Sequence, residues 1–508
     1  MTMKYKKLLC ALGSVVATFF ATQLINPTNS DIPRHLLSGK IILESLLAGH
    51  YPSDVLYTNA FSYTHPDFPF VNHHWFSAVI FYAAFQAGSW PLLHALFLLI
   101  FAISVYLSLE MAQRTVPIRN VVTAFVLLLP LLITRTEVRP EVFSYALTVL
   151  FISILGHTRR LTTKHVVALV FLQLFWANVH IYFVLGLAII ALWGAQLHHT
   201  KPFISLKSKR HGTLLLASIV ASLCTPHGVA GLLYPFRIFQ NYGYEIVENK
   251  SVFFLWNWGM HDPVYLHIGV LAAVLFVTFL VRRGGTHWRL HLVSLVFSVW
   301  AVFGVRNIPL AALVSLPIMA AIVSHLEGHL ATLLRTSRAL SATILLLFSL
   351  IGMLFIHQSR WSQAEQAHLG AQDTSAADMF IAKYVKGAVF NNYDIGSYLE
   401  WIIYPTPVYV DNRPEAYPIS FFEKSYKNMD SPSAFQKLDD THHFSFIVFQ
   451  YRDLTPWSQN FLRQKTADPD WVAVYANEQI LVLVRNTKEH KSLINTYQIP
   501  REAFQFGP

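Results

Sequence analysis

Asp31, Arg34 and His35 stand close together in the stretch NSDIPRHLLSG, residues 29–39, just past the first apolar run of the chain. A carboxylate there can take the proton of a hydroxyl within hydrogen-bond reach. A guanidinium can pair a phosphate through two parallel hydrogen bonds and keeps its charge at any physiological pH. Similar groups recur further on. TRTEVRPE holds Arg135, Glu137, Arg139 and Glu141, and the stretch WANVHIY holds Asn178 and His180. His227 follows in TPHG, and Arg306 stands in FGVRNIP between two apolar runs. His73 and His74 precede Trp75, and VYVDNRPEAY carries Asp411, Arg413 and Glu415.

Each of these also has a structural reading. Asp31 can cap a helix entered at Pro33. Arg135 with Glu137, and Arg139 with Glu141, can be ion pairs at a helix end. His180 can close a hairpin turn, and His73 and His74 can anchor an interface beside Trp75. Asp411 and Arg413 can pair across a turn after a strand, or border a site at the strand's end. No spacing of His, Cys, Asp or Glu is specific for a metal, so the metal is unknown on the residues alone.

The elements that must hold these groups are membrane helices. The chain has 508 residues, 54% hydrophobic and 13% charged, with mean hydropathy +0.41. A soluble chain of this length carries about 25% charged residues. Apolar runs fall at 8–25, 90–112, 119–134, 141–156, 165–177, 181–197, 212–225, 263–281, 288–305, 307–325 and 339–357. A helical span needs roughly 20 residues. Residues 1–25 also fit a signal peptide, but a retained helix suits the many that follow. Cys10 and Cys224 both lie in apolar runs, which argues against a disulfide framework.

The net charge of +10 gives no reason to expect nucleic acid, because Lys and Arg sit in short clusters between the runs. Those clusters are Lys4/Lys6/Lys7, Arg114/Arg119, Arg159/Arg160/Lys164, Lys201/Lys207/Lys209/Arg210, Arg282/Arg283/Arg289 and Arg335/Arg338. All fall on one side if 75–88 lies at the interface instead of crossing and 165–197 is a hairpin. About eleven spans then leave the N-terminus cytoplasmic. The expected fold is a polytopic α-helical membrane domain over 1–358, with a long outer loop at 26–89. A small α/β domain over 359–508 follows on the outer side. In that domain GAVFNNYDIGSYLEWIIYPTPVYV reads strand, helix, strand; HFSFIVFQY and WVAVYANEQILVLVR read as further strands, and SPSAFQKL as helix. It has no G-x-G-x-x-G loop to hold a nucleotide.

A first helix leading straight to an acid, a long outer loop, an R-x-E-x-R-P-E second loop and a C-terminal outer domain together resemble the GT-C superfamily of polyprenyl-phosphate-dependent glycosyltransferases. YTHPDFPFVNHHWF, WANVHIYFVLG, RNIPL and VYVDNRPEAY are similar to bacterial members. The resemblance covers nearly the whole chain. It implies an inverting transfer, on the outer face of a bacterial inner membrane, from a polyprenyl-phosphate-linked sugar donor to a glycan, lipid or protein acceptor. Membrane lipids are the surroundings and no nucleic acid is involved. By position it implies Asp31 as the base. Arg306, Arg139 and Arg34 are the candidate partners of the donor phosphate. A divalent metal, Mg or Mn, is possible, with Glu137 or Glu141 as a second carboxylate. Ile32, where the protein O-mannosyltransferases have a second acid, and WNWGMHD, which is not the W-W-D-Y-G of oligosaccharyltransferases, depart from two known branches. A transporter or flippase, and a non-catalytic envelope-assembly protein, are the alternatives; the lack of an internal repeat speaks against the first.

The one-sided basic clusters generate a test. Reporter fusions after residues 160, 205, 285 and 337 should report cytoplasm, and fusions after 240 and 450 the outer side. A cytoplasmic signal at 450 would overturn this topology.

Overall fold

The computed structural model describes residues 3–158, 160–196, 205–206, 208–237, 242–281, 287–362, 368–453 and 455–504. The basic residues Arg159, Lys201, Lys207, Arg282 and Arg283, and residue 197 at the end of the expected hairpin, lie outside them. In chain order the helices are α1 Met3–Ala21, α2 Ile32–Leu47, α3 Ser53–Tyr57, α4 Trp75–Gln113, α5 Ile118–Leu132, α6 Glu141–His157, α7 Thr163–Val179 and α8 Val184–Gly194. They continue with α9 Lys209–Leu223, α10 Gly228–Leu233, α11 Val252–Asn257, α12 Pro263–Val281, α13 Trp288–Phe303, α14 Ile308–Leu333 and α15 Arg338–Ile356. After these come α16 Gln358–Ser362, α17 Ser375–Tyr384, α18 Gly396–Ile403, α19 Pro432–His442, α20 Pro456–Ala467 and α21 Lys491–Tyr497.

Every apolar run read from the sequence therefore coincides with a helix. Among the described residues four segments are long and apolar enough to cross a membrane: Trp75–Gln113, Pro263–Val281, Val305–Leu333 and Arg338–Ile356. Lys209–Leu223 with Gly228–Phe236, bent by 113°, makes a fifth if the pair is one span. Five more apolar helices are only 10–17 residues long. Length alone thus supports a multi-pass membrane protein and does not fix eleven crossings. Residues 75–88 do form a helix of their own, since α4 breaks where Gly88 and Ser89 leave helical backbone angles. Pro91 follows directly and removes a helical N–H donor. The turn between α7 and α8 is a tight one. Gln173 donates from Nε2 to the Phe183 carbonyl at 3.0 Å, and a Cβ at Gly186 would run into Gln173.

The chain packs as two compact units. The first comprises 1–24, 94–232 and 246–369; the second comprises 25–93, 233–245 and 370–508. In the first, α14 is the central helix, buried from Ile308 to Ile318 and packed against α5 and α13.

The second unit is built on a four-stranded sheet. Its strands follow a short antiparallel pair in the chain, β1 Ala195–Gln196 with β2 Ser205–Leu206. They are β3 Val389–Asn391, β4 Phe446–Gln450, β5 Trp471–Ala476 and β6 Ile480–Arg485, in the order β3-β4-β6-β5. Strands β3 and β4 are parallel; the other neighbours are antiparallel. Side chains alternate across the sheet. Phe446 and Val448 join one core with Ile381 and Leu399, while Ile447 and Phe449 join the other with Phe435 and Phe461. Because both faces are covered, the strand sequences are continuously apolar.

The strand expected after α18 is reduced to one bridge, Ser62 to Val408. Pro405 and Pro407 deny that segment the N–H groups a ladder needs. Asn391 compensates, donating from Nδ2 to the Val410 carbonyl at 2.7 Å and accepting from the Tyr409 N–H at 3.0 Å. On the opposite edge the Ile499 N–H donates to the Ala473 carbonyl at 2.8 Å.

The loop after α1 is part of this second unit. Helix α2 packs against α18 and passes close over the start of α4, where Gly39 faces the Ala78 carbonyl so tightly that a Cβ would overlap it. Gly39→Ala should therefore cost about 1–3 kcal/mol through forced displacement of helix backbone. A thermal melt of the purified variant measures it, and a parent-like melting temperature would show that the two helices part freely.

Candidate functional site

The sequence candidates gather into two clusters, one in each unit. In the first unit the TRTEVRPE loop joins α5 to α6, and Pro140 fixes the entry so that Glu141 opens α6 as a buried residue. Arg135 donates from Nε to Glu141 at 2.5 Å and from Nη1 to Glu248 at 2.9 Å. Arg139 donates from Nη1 to the other oxygen of Glu248 at 2.9 Å, and its Nε lies 3.1 Å from Glu137. Arg306 donates to Asn249 at 2.9 Å and stands 3.5 Å from Glu141 and 3.8 Å from Glu248. Pairing between neighbours in sequence, Arg139 with Glu141 in particular, is replaced by pairing with Glu248, more than a hundred residues on. Arg135 and Glu137 are only loosely paired, at 3.9 Å.

Arg135, Arg139 and Arg306 are thus matched by Glu137, Glu141 and Glu248. Burial pushes the Glu248 carboxyl up, but Arg135, Arg139 and Arg306 outweigh it and hold it well below the usual carboxylate range. Glu137, with 56% of its side chain exposed, is the member water reaches most easily. Around the cluster, Tyr145 donates to Glu141 at 3.2 Å and Tyr182 to Asn307 at 2.7 Å. His180 accepts the Tyr182 N–H at Nδ1, 3.3 Å away, and that atom lies 2.7 Å from the Ser144 hydroxyl. Asn178 donates to the Leu174 and Cys224 carbonyls at 2.9 and 3.0 Å. These two side chains thus tie the α7–α8 turn to its neighbours. His227 lies in the bend between α9 and α10, its carbonyl accepting from the Gly231 N–H.

In the second unit Asp31 occupies the N-cap position of α2, yet its side chain makes no cap hydrogen bond. The capping role expected of S-D-I-P is not what this carboxylate does. Helix α2 buries everything from Ile32 to Gly39, Arg34 and His35 included. The His35 ring meets the His74 ring edge-on at 5.5 Å, and His73 lies 3.9 Å from His74 and 5.2 Å from Tyr234.

The DNRPEAY segment closes on the same region. Arg413 grips Asp411 through Nε and Nη2, donates to Asn59 at 2.7 Å, and lies over the rings of Phe61 and Phe70. That is a buried structural pair, nearly without solvent access. Asp394, half-buried after β3, is pushed up to about 7 by burial, with Asp453 and Asp31 adding to it. Burial likewise raises Glu400, Asp411 adding to the rise, while Arg413, Arg34 and Asp31 also act on it. Burial raises Glu415 as well, against Arg34 and Arg413, which pull it down.

Asp31, Arg34, Asp411 and Arg413 therefore share one polar core, and Arg135, Glu137, Arg139, Glu141 and Arg306 share another. Sequence reasoning missed Glu248 in the first and Asp394 and Glu400 in the second. Glu248 carried a signal: it is an acid beside an apolar stretch, the same criterion that singled out Arg306. Among the described residues no three His, Cys, Asp or Glu side chains converge as a metal site requires, and Glu141 and Glu248 are already taken by arginines. Among the described residues Glu141, one of the two acids the resemblance offered a metal, is held by Arg135 instead.

No family model and no curated protein matches this sequence. Solved structures do. The archaeal oligosaccharyltransferase AglB from Archaeoglobus fulgidus, in complex with an inhibitory peptide and a dolichol-phosphate, aligns with TM-score 0.56 at 12% identity. That alignment covers 96% of this chain and 75% of AglB. The apo form of an oligosaccharyltransferase from the same organism aligns with TM-score 0.51, again at 12% identity, over 96% of this chain and 74% of that one. The chain therefore has the fold of these oligosaccharyltransferases, in keeping with the resemblance read from the sequence. AglB is one protein whose fold it shares.

Glu248 gives this cluster a pH dependence. Its pKa is lowered on folding, so its stabilisation is present above the unfolded value of about 4.3 and is lost as pH falls through the acid range. Glu248→Gln should cost about 3–5 kcal/mol at neutral pH, the range for breaking a buried pair, and flatten the acid limb of a melting-temperature profile. An unchanged acid limb would show that Glu248 is not what holds the three arginines.

Proposed function

We propose that this chain is an integral membrane glycosyltransferase. It moves a sugar from a polyprenyl-phosphate donor to a hydroxyl of an envelope glycan, lipid or protein, on the outer face of a bacterial inner membrane. The observation that carries the reading is Asp31: a carboxylate at the head of α2, directly after the apolar α1, that spends nothing on capping its own helix. The shared fold supports it, since AglB was solved with a dolichol-phosphate and a peptide bound. The absence of a W-W-D-Y-G sequence at WNWGMHD favours a hydroxyl acceptor over a peptide amide.

In this reaction Asp31 takes the acceptor's hydroxyl proton. The freed oxygen bonds to the anomeric carbon from the face opposite the phosphate, and the bond from that carbon to the phosphate oxygen breaks, its electron pair leaving with the phosphate. Configuration inverts in one displacement. Asp394, near neutral pH in its affinity for a proton, is the second carboxyl acting on the same region. Arg306 and Arg139, expected to meet the donor phosphate, are already matched by Glu141, Glu248 and Glu137. A phosphate reaching them must displace a carboxylate, and exposed Glu137 is the one that gives way most easily.

Asp31→Asn tests the reading. The variant should insert and melt like the parent, because no cap bond is lost, and transfer sugar at least about a hundredfold more slowly. That fall corresponds to about 3 kcal/mol of barrier. Transfer from a polyprenyl-phosphate sugar, measured beside the melting temperature, separates the outcomes, and an active Asp31→Asn protein would refute the base assignment.

A further inference from the structure

Helix α1 buries only four small side chains, Cys10, Ser14, Ala17 and Ala21, so its grip on the first unit is thin. It meets α4 at Gly13, where a Cβ would come within 2.9 Å of Leu109 Cδ1. Toward the start of α1 there is a groove of about 540 Å³, lined by Lys4, Tyr5, Lys7, Leu8 and Ala11 from α1 and Tyr106 from α4. That volume lies within the roughly 300–1,000 Å³ of small-molecule sites. Lys4 and Lys7 stand three residues apart on one helix face and bring two ammonium groups, while Tyr5 and Tyr106 bring hydroxyls. Among the described residues neither lysine forms an ion pair. Glu110, one turn on from Tyr106, is already held by Arg114 through Nε at 2.9 Å. Past this basic mouth the groove turns apolar at Leu8 and Ala11. Leu8, Leu12, Val15 and Phe19 then recur at spacings of four, three and four, and all are more than half exposed. One face of α1 thus stays apolar and uncovered over about 16 Å, at 1.5 Å per residue.

We propose that this groove binds an anionic phospholipid, its headgroup phosphate between Lys4 and Lys7 and an acyl chain along Leu8, Leu12, Val15 and Phe19. The polarity of the groove selects that occupant. A soluble anion would answer the two ammonium groups and leave the apolar track bare. A zwitterionic lipid would bring a cation of its own to the basic mouth. Lysines beside a membrane span draw anionic lipids in this way. The lipid fastens the start of α1 to α4, where the protein's own contacts are thin. None of the acids and arginines of the two charge clusters lines this groove, and the site does not depend on the proposed transfer.

The test uses the purified full chain in detergent. Its melting temperature is followed against phosphatidylglycerol, phosphatidylcholine with the same acyl chains, and glycerol phosphate, which has a headgroup and no chains. Binding to the folded state raises the melting temperature by mass action. Phosphatidylglycerol should raise it by a few degrees, and the other two should leave it where it is. The double variant Lys4→Gln with Lys7→Gln changes only exposed side chains and should melt like the parent without lipid. It should bind phosphatidylglycerol at least about tenfold more weakly. Lys7→Gln and Lys6→Gln remove the same charge, but Lys6 does not line the groove, so only the first should weaken binding. Ala11→Phe fills the groove at unchanged charge and should abolish the rise; where it does not fold, the lysine comparison decides. An equal rise with phosphatidylcholine or glycerol phosphate, or no rise with phosphatidylglycerol, would overturn the site. So would a double variant of full affinity, a Lys6→Gln as weak as Lys7→Gln, or a folded Ala11→Phe that binds like the parent.

Discussion

Matching guanidinium to carboxylate is the constraint on which the polar parts of this protein depend. An apolar chain can bury Arg and Glu only if each charge finds a partner in reach and the remaining donors are used. In the first unit each charge of the cluster meets an opposite one because Glu248 and Arg306 come to the α5–α6 loop from far along the sequence. In the second it is made locally, between Asp411 and Arg413 two residues apart. The difference is between pairs made along the chain and pairs made across the fold.

That distinction was only half visible in the sequence. The helices were legible because twenty apolar residues in a row leave few other structures available. The three longest strands were legible because β-branched and aromatic runs bounded by turns suit a doubly covered sheet. The reduced strand at Val408 was not, although Pro405 and Pro407 were there to be weighed. Within the sites, residue types were read correctly but partners were not. Arg306 looks free in the sequence because Glu141 and Glu248 reach it only in three dimensions, and Arg139 pairs with Glu248 where the sequence offers Glu141. Ranked by depth, Arg34 comes after Arg306 and Arg139.

Asp31 illustrates the same limit from the other side. The local grammar of S-D-I-P describes a helix cap. In the folded chain the position is the N-cap but the side chain is not used as one. Such a departure from local habit is expected where function sets the geometry.

The edges of the sheet in the second unit carry a consequence for association with other chains. A bare outer strand offers a row of free amides and carbonyls to any extended chain that drifts past. Here one rim is sealed by the Asn391 amide, which stands in for the missing backbone partner of Tyr409 and Val410. The other is sealed where Ile499 donates to Ala473. A domain whose rims stood open could be zippered onto any such chain. With both rims closed, this one presents side chains rather than a template.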